Sequence, residues 1–391
     1  MSTSQFTLPP ATEPIRRRRR RWPLVVSVVV GLVVAFVVAA SIINVPYYSL
    51  VPGQAQPVSQ LITVPAELHH PVKGELLLTD VGVTPLKLIT FLSAQFDHDA
   101  TVVKTQDLTA NVPVSEFNPE GTVDMSESQL TAQAVALRQL GYSVPEHDVG
   151  VCIYVIGPGT PAWNDLQVGD VITSIDGVPT TSPLALQSAI RSHRPGEVVT
   201  LKVGSIMHPT PGHDVSVRLA STVVDHKTVA LLGIGDPKAP LIPSMGTQPA
   251  YDLPFPVSIN SDNIGGPSAG LAFTLGIINT LTGGHLTGGR TIAATGTIRP
   301  DGTVGDVGGV KQKTVAVEQA GATVFFVPDP ELATARSMAT PNLKVFAVGS
   351  LRQALGDLER LGGVLGTATT GPPAGPGGHS VPVDWQDSPW T

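Results

Sequence analysis

The sequence predicts a mixed α/β (α+β) fold arranged in modules behind one N-terminal transmembrane helix, and three observations carry that prediction. Leu24 to Ile43 form an uncharged run of 20 residues directly after Arg16 to Arg21. Residues 149–222 are short β-rich runs cut by Gly, Pro and Asp, and residues 223–361 alternate apolar helices with apolar strands. With 42% hydrophobic residues in 391, the chain can bury substantial cores, which excludes wholesale disorder. Its Gly 40 and Pro 36 follow no Gly-X-Y period, which excludes collagen. Only 14% of residues are charged, against roughly 25% in an average soluble domain.

The formal net charge is −7, and the first 22 residues hold six arginines against one acid, Glu13, so the remainder is more acidic still. Such a body repels a polyanion, and no nucleic-acid partner is expected. The one cysteine, Cys152, excludes an intrachain disulfide and a Cys-based zinc site. Among ten histidines the only adjacent pair is His69-His70, followed by Pro71, and neither H-E-x-x-H nor a G-x-G-x-x-G helix start occurs. No metal and no cofactor are expected.

At 1.5 Å rise per residue, Leu24 to Ile43 matches the ~30 Å hydrocarbon layer. The Arg block places residues 1–23 in the cytoplasm, and Trp22 on one side with Tyr47 and Tyr48 on the other suit the two interfaces. The chain is thus expected to be a single-pass protein of the cell membrane with everything after about Asn44 outside the cytoplasm. A cleavable signal peptide is the alternative, because Val38-Ala39-Ala40 offers small residues at a cleavage position; the destination is the same.

In the N-terminal extracytoplasmic region, residues 44–148, Glu75 to Val81 reads as a strand and Leu86 to Phe96 as a helix. A second helix is expected from Ser126, where Ser126 and Gln129 form a capping box and Leu130, Ala134, Leu137 and Leu140 keep helical spacing up to Gly141. In residues 149–222, Val151 to Ile156, Val171 to Ile175 and Val198 to Val203 read as strands and Pro183 to His193 as a helix. Residues 223–361 give a long apolar helix after Pro267, strand Thr291 to Thr295, a helix from Val310, strands Thr323 to Val327 and Leu343 to Val348, and helix Ser350 to Leu361. Residues 362–391 are Gly, Pro, Thr and Ser by composition and are expected to be a disordered tail.

Chemistry concentrates in 223–361. Gly266-Pro267-Ser268-Ala269-Gly270 puts a serine in the first turn of a buried helix, where free backbone N–H groups and the helix dipole favour a developing oxyanion. Pro267 suits a helix start, and the small Ala269 and Gly270 leave room for a substrate backbone. A structural N-cap is the plainer meaning of such a serine. The run also fits G-x-S-x-G, but Ser261 to Gly265 is polar rather than a strand, and no Asp-then-His pair follows: His285 has no Asp before it and His379 lies in the tail. Among upstream histidines nothing marks His226 as a base.

A neutral lysine replaces histidine as base when burial or nearby positive charge holds it neutral. Gly308-Gly309-Val310-Lys311-Gln312-Lys313 opens a helix after a glycine pair, and its two lysines point to different faces. Lys313 is in register with Val317 and Ala320 on the packing side, whereas Lys311 faces solvent. An ordinary surface lysine is the plainer reading of either alone.

Two resemblances follow. Gly157-Pro-Gly-Thr-Pro-Ala162 with Leu166-Gln-Val-Gly-Asp170-Val-Ile-Thr-Ser-Ile175-Asp176-Gly177 resembles the PDZ domains of bacterial secreted proteases. This implies a groove that captures an extended peptide or an adaptor. A Gly-Leu-Gly-Phe type of carboxylate loop is not evident before Val151, Gly150-Val151 being the nearest candidate, and a PDZ fold used only as a spacer is the alternative. The ordered set G-P-S-A-G, Ala294-Thr295-Gly296-Thr297-Ile298, Asp301-Gly302, Val304-Gly305, G-G-V-K-Q-K and A-G-A-T-V-F-F-V-P resembles the proteolytic domain of the Lon family of Ser-Lys peptidases.

That resemblance implies that Ser268 is the nucleophile, Lys313 the general base, and Thr295 a hydrogen-bonding partner of the Lys313 amine, with Gly266, Pro267 and Ala269 shaping the turn. ATP-dependent members carry an acid three residues before the serine; here that position is Gly265, with Asp262 close by in sequence. No G-x-x-x-x-G-K-[ST] occurs. Anchor, PDZ-like module and Lon-type domain in this order resemble the membrane-bound, ATP-independent PDZ-Lon proteins. They imply cleavage of unfolded or exposed polypeptide, and the family implies a hexameric homo-oligomer. The alternative is a catalytically inactive PDZ-containing extracytoplasmic scaffold or adaptor.

Overall fold

The computed structural model describes residues 22–97, 99–109, 114–235, 244–261 and 264–366. The described residues open with helix α1 (Trp22–Ile42), exposed along Val25 to Ala39, and this is the one helix among them long and apolar enough to cross a membrane. Strand β1 (Asn44–Pro57) leaves it almost without a linker. There follow β2 (Ile62–Thr63), β3 (Glu75–Lys87), α2 (Leu88–Ala94), β4 (Thr101–Lys104), α3 (Thr105–Thr109) and α4 (Val114–Gln139). The helix expected to start at Ser126 therefore begins twelve residues earlier. Ser126 is interior, and its hydroxyl donates back to the Thr122 carbonyl (3.0 Å) instead of capping. Burial of Val123 and Met125 continues the helix through the local capping signal.

Next come β5 (Glu146–Ile153), α5 (Pro161–Asp165), β6 (Asp170–Ile175), β7 (Val178–Pro179), α6 (Pro183–Ser192), β8 (Val198–Ser205), β9 (His213–Arg218), β10 (Ala220–Val224), β11 (Lys227–Leu231) and β12 (Met245–Tyr251). Strands β12-β5-β6-β8-β9 form one antiparallel sheet, with β7 paired to β6. Its core is Val151, Ile153, Ile172 and Leu201, alternate inward positions of their strands, with Leu186 of α6 packed against them. The sheet thus reaches past residue 222, because β12 returns to pair with β5.

The chain closes with β13 (Ser258–Ile259), α7 (Gly270–Leu281), β14 (Thr291–Ala294), β15 (Thr297–Ile298), β16 (Val304–Gly305), α8 (Val310–Gln319), β17 (Val324–Val327), α9 (Leu332–Met338), β18 (Lys344–Ala347) and α10 (Leu351–Arg360). A six-stranded mixed sheet runs β18-β17-β14-β3-β1-β4, in which β3, β1 and β4 come from the region before the PDZ-like module. The stretches 44–148 and 223–361, separated in the sequence reading, therefore share one sheet and one core. Parallel pairs β18-β17, β17-β14 and β14-β3 give way to antiparallel β3-β1 and β1-β4. Helix α7 is buried at every residue and packs on α4 around Phe273, Leu275 and Leu137.

Helix α4 also carries the β-rich module. Val123 packs with Cys152, Val171 and Ile206, and the Tyr154 hydroxyl donates to Glu127 (2.9 Å). Burial raises the Glu127 carboxyl, partly offset by that bond.

Candidate active site

Ser268 sits in a single 3₁₀ turn, Pro267–Ala269, that leads into α7. Gly266 caps this turn at φ +84°, a conformation that side-chain-bearing residues rarely adopt. Ser268 is therefore no N-cap, and its Oγ is free for other partners. The turn is held from both sides. From α4, the Gly121 carbonyl accepts from the Gly266 N–H (2.7 Å), the Ser128 hydroxyl donates to the Pro267 carbonyl (3.1 Å), and Gln129 donates to the Ser261 hydroxyl (2.8 Å). From the end of β14, the Gly296 N–H (2.9 Å) and the Thr295 hydroxyl (3.1 Å) both donate to the Ser268 carbonyl. Ala269 and Gly270 are buried rather than open to a substrate, so their small size serves packing.

Lys313 comes from the first turns of α8. Gly309, at φ +66°, starts that helix, and a Cβ there would lie 2.6 Å from Val81 of β3. This close approach seats α8 on the sheet, with Val310, Val317 and Lys313 inward and Lys311 exposed. Lys313 is 2% exposed, with its Nζ 2.7 Å from Ser268 Oγ and 3.0 Å from Thr295 Oγ1. Burial pulls its ammonium pKa down to about 8, against the opposing pull of Asp80 and Glu331. Ser268, Thr295 and Lys313 are thus brought together from three separate segments.

His226 lies in the turn between β10 and β11, and His285 follows the far end of α7. His379 and Asp262 lie outside the described residues. Sequence reasoning missed Asp80, the lone charge in the run Leu76 to Val81, and Glu331, which carried no motif. It also missed the backbone role of Gly121. Among the described residues no group of three or more His, Cys, Asp or Glu is arranged to hold a metal.

In the β-rich module, a groove lies between α6 and the segment from Val229 to Ile234, lined by Leu186, Ile190, Leu231 and Met245. Leu232, Gly233 and Ile234 also line it, and this segment is tied down by Gly157 N–H on the Gly233 carbonyl (3.2 Å) and Gly235 N–H on the Val155 carbonyl (2.8 Å). Gly150-Val151 does not reach this groove. It is paired inside the sheet, where a Cβ on Gly150 would meet the Ile172 carbonyl at 2.7 Å.

A serine at a helix start, bonded to a buried lysine whose amine is held by a threonine, defines a Ser-Lys site in a chain that also carries a grooved β-rich module. The models of two families match the same two places: a PDZ domain over residues 153–203 and the Lon protease (S16) C-terminal proteolytic domain over residues 261–354. The chain thus carries a PDZ domain and a Lon-type serine-peptidase domain. It is 44% identical over 64 residues to a Lon protease of Mycoplasma genitalium, covering 16% of this chain and 8% of that protein. Over 83 residues it is 36% identical to Lon protease 1 of Herpetosiphon aurantiacus, covering 21% and 10%. The chain spans about a tenth or less of the length of these relatives. Solved PDZ domains of SdrC-like proteins from Listeria monocytogenes and Listeria innocua are 25% and 30% identical. Each match covers 22% of this chain, with 86% and 89% of those chains and TM-scores of 0.19 and 0.18.

Proposed function

We propose that this chain is a membrane-anchored, ATP-independent serine endopeptidase that cleaves unfolded or exposed polypeptide outside the cytoplasm. The observation that carries the reading is the 2.7 Å contact between Ser268 Oγ and the buried Lys313 Nζ. Neutral Lys313 takes the Ser268 proton as Oγ attacks the peptide carbonyl. The Ser268 and Ala269 N–H groups have no preceding acceptor within the Pro267–Ala269 turn and hold the oxyanion. Protonated Lys313 then gives its proton to the leaving amine, and as a base again it activates the water that hydrolyses the acyl-enzyme. Thr295 keeps the amine in line by accepting from it while its own hydroxyl donates to the Ser268 carbonyl.

Helix α1 is the membrane span in this reading, with the Arg16 to Arg21 block on the cytoplasmic side. The groove between α6 and Val229 to Ile234 receives an extended peptide segment of a substrate or adaptor. A hexamer is the expected assembly by resemblance to the Lon family.

The test is cleavage of casein by the full chain in detergent without ATP, comparing the parent with Ser268→Ala. The parent is expected to cleave, and the variant to lose activity by about 10³-fold or more with its circular dichroism unchanged. Cleavage retained by Ser268→Ala removes the assignment. A folded parent that cleaves nothing favours the PDZ scaffold.

A further inference from the structure

We propose that the face formed by α2 and the start of β1 is a membrane-docking collar that seats the proteolytic domain on the lipid headgroups around the exit of α1. The proposal rests on the membrane reading of α1. Helix α2 reads Leu-Ile-Thr-Phe-Leu-Ser-Ala, yet none of its residues is buried. Leu92 is 45% exposed, Phe96 just beyond it 84%, and Val83 of β3 41%. An apolar helix left only half-covered on a folded domain calls for a partner.

Its position says which partner. The Leu88 N–H donates to the carbonyl of Ile43 (2.9 Å), so α2 starts at the point where α1 ends, and the two helices touch. Ile42 and Ile43 are 69% and 50% exposed, so exposed apolar side chains stand on the spanning helix right where α2 begins. Tyr47 stacks its ring 4.8 Å from that of Phe91, an amphipathic pair of the kind found at headgroup depth. The strand register places exposed Lys87 opposite Asn44 and exposed Lys104 opposite Tyr47. Two ammonium groups beside the helix exit suit lipid phosphates, to which their apolar stems allow them to reach. Helices of this kind lie with their apolar face roughly 5–10 Å into the headgroup boundary. Because β1 and β3 belong to the sheet that also carries α8, the collar would hold Lys313 and Ser268 at a fixed height above the bilayer.

The experiment uses the full chain in nanodiscs containing one copy each, with an environment-sensitive fluorophore on Phe96→Cys, Leu92→Cys, Val33→Cys in α1, or Leu184→Cys, which is 72% exposed on α6. Cys152 is fully buried and burial pushes its thiol pKa up, so it does not compete for the label. Lipids spin-labelled near the headgroup are expected to quench positions 92 and 96, deeply labelled lipids position 33, and neither position 184. Anionic lipid is expected to deepen the quenching at 92 and 96, and Lys87→Gln with Lys104→Gln to remove that increment. Quenching at 33 with positions 92 and 96 as bright as 184 overturns the collar and leaves the membrane span standing. No quenching at 33 overturns both. Shielding of 92 and 96 from iodide without lipid quenching assigns the face to a protein partner and also overturns the proposal.

Discussion

The depressed ammonium of Lys313 makes the pH profile the sharpest test of the dyad. An ordinary lysine is neutral in only about one molecule in three thousand at pH 7, whereas a pKa of about 8 leaves about one in ten neutral. If the neutral form is the base, kcat/KM rises about tenfold per pH unit below 8 and levels above it, a change of roughly ninetyfold between pH 6 and pH 9. Asp80 and Glu331 both favour the cation, so Asp80→Asn and Glu331→Gln are expected to move the rising limb to lower pH and to increase the neutral fraction at pH 7. Both substitutions keep an oxygen that accepts from the Gln54 N–H and the Val307 N–H, the bonds that now fix these carboxylates. The assay is cleavage of an internally quenched peptide from pH 6 to 9.5 at constant ionic strength. A flat profile, or a limb that moves to higher pH in Asp80→Asn, refutes the reasoning.

Thr295→Val keeps the shape of the side chain but removes the hydroxyl that accepts from Lys313 and donates to the Ser268 carbonyl; a fall in kcat of about ten- to a hundredfold with KM little changed is expected in the same assay. Lys313→Met should abolish cleavage yet stabilise the fold. A lysine whose folded pKa lies below its unfolded one loses stability as pH falls through the window from 10.5 to about 8, so at pH 7 it is unfavourable by about 3 kcal/mol, less its two hydrogen bonds, and urea unfolding at pH 7 and pH 10 measures this. Gly309→Ala places a Cβ at φ +66° against Val81, and a loss of about 1–2 kcal/mol in urea unfolding is expected, with a drop in kcat as α8 shifts.

How much of this was legible in the sequence follows from the range of the interactions. Ser268 and Lys313 each stand at a helix start marked by glycine, a local signal, and Lys313 shares a helical face with Val317, so its inward direction could be read from spacing. The pairing of Glu75 to Leu77 with Thr291 to Ala293 joins residues more than two hundred positions apart, and no local pattern encodes it. For that reason residues 44–148 looked devoid of chemistry, although they supply Asp80 and the carbonyl of Gly121 that holds the Ser268 turn. The groove wall was missed for a different reason: Leu232-Gly233-Ile234 stands late in its domain, between β11 and β12, whereas Gly150-Val151, where it was sought, is consumed by sheet pairing.

The glycine at position 265 is consistent with this arrangement. A Cβ on Gly265 would face the backbone of Gly121 at 3.4 Å, so a longer side chain would point at helix α4. The turn is instead positioned by α4 through the Gly266 to Gly121 hydrogen bond, and negative charge reaches the lysine from β3 and from the turn before α9. Burial alone drives Lys313 toward neutrality, but a lysine depressed further would also be a weaker base. The two carboxylates oppose that fall, and each is held by a backbone N–H, so their pull is fixed by the fold. A base with its pKa near the working pH combines a sizeable neutral fraction with useful basicity. In this chain that balance is set by a sheet strand and a turn far from the serine in sequence, and the nucleophile turn itself carries no charge among its described residues.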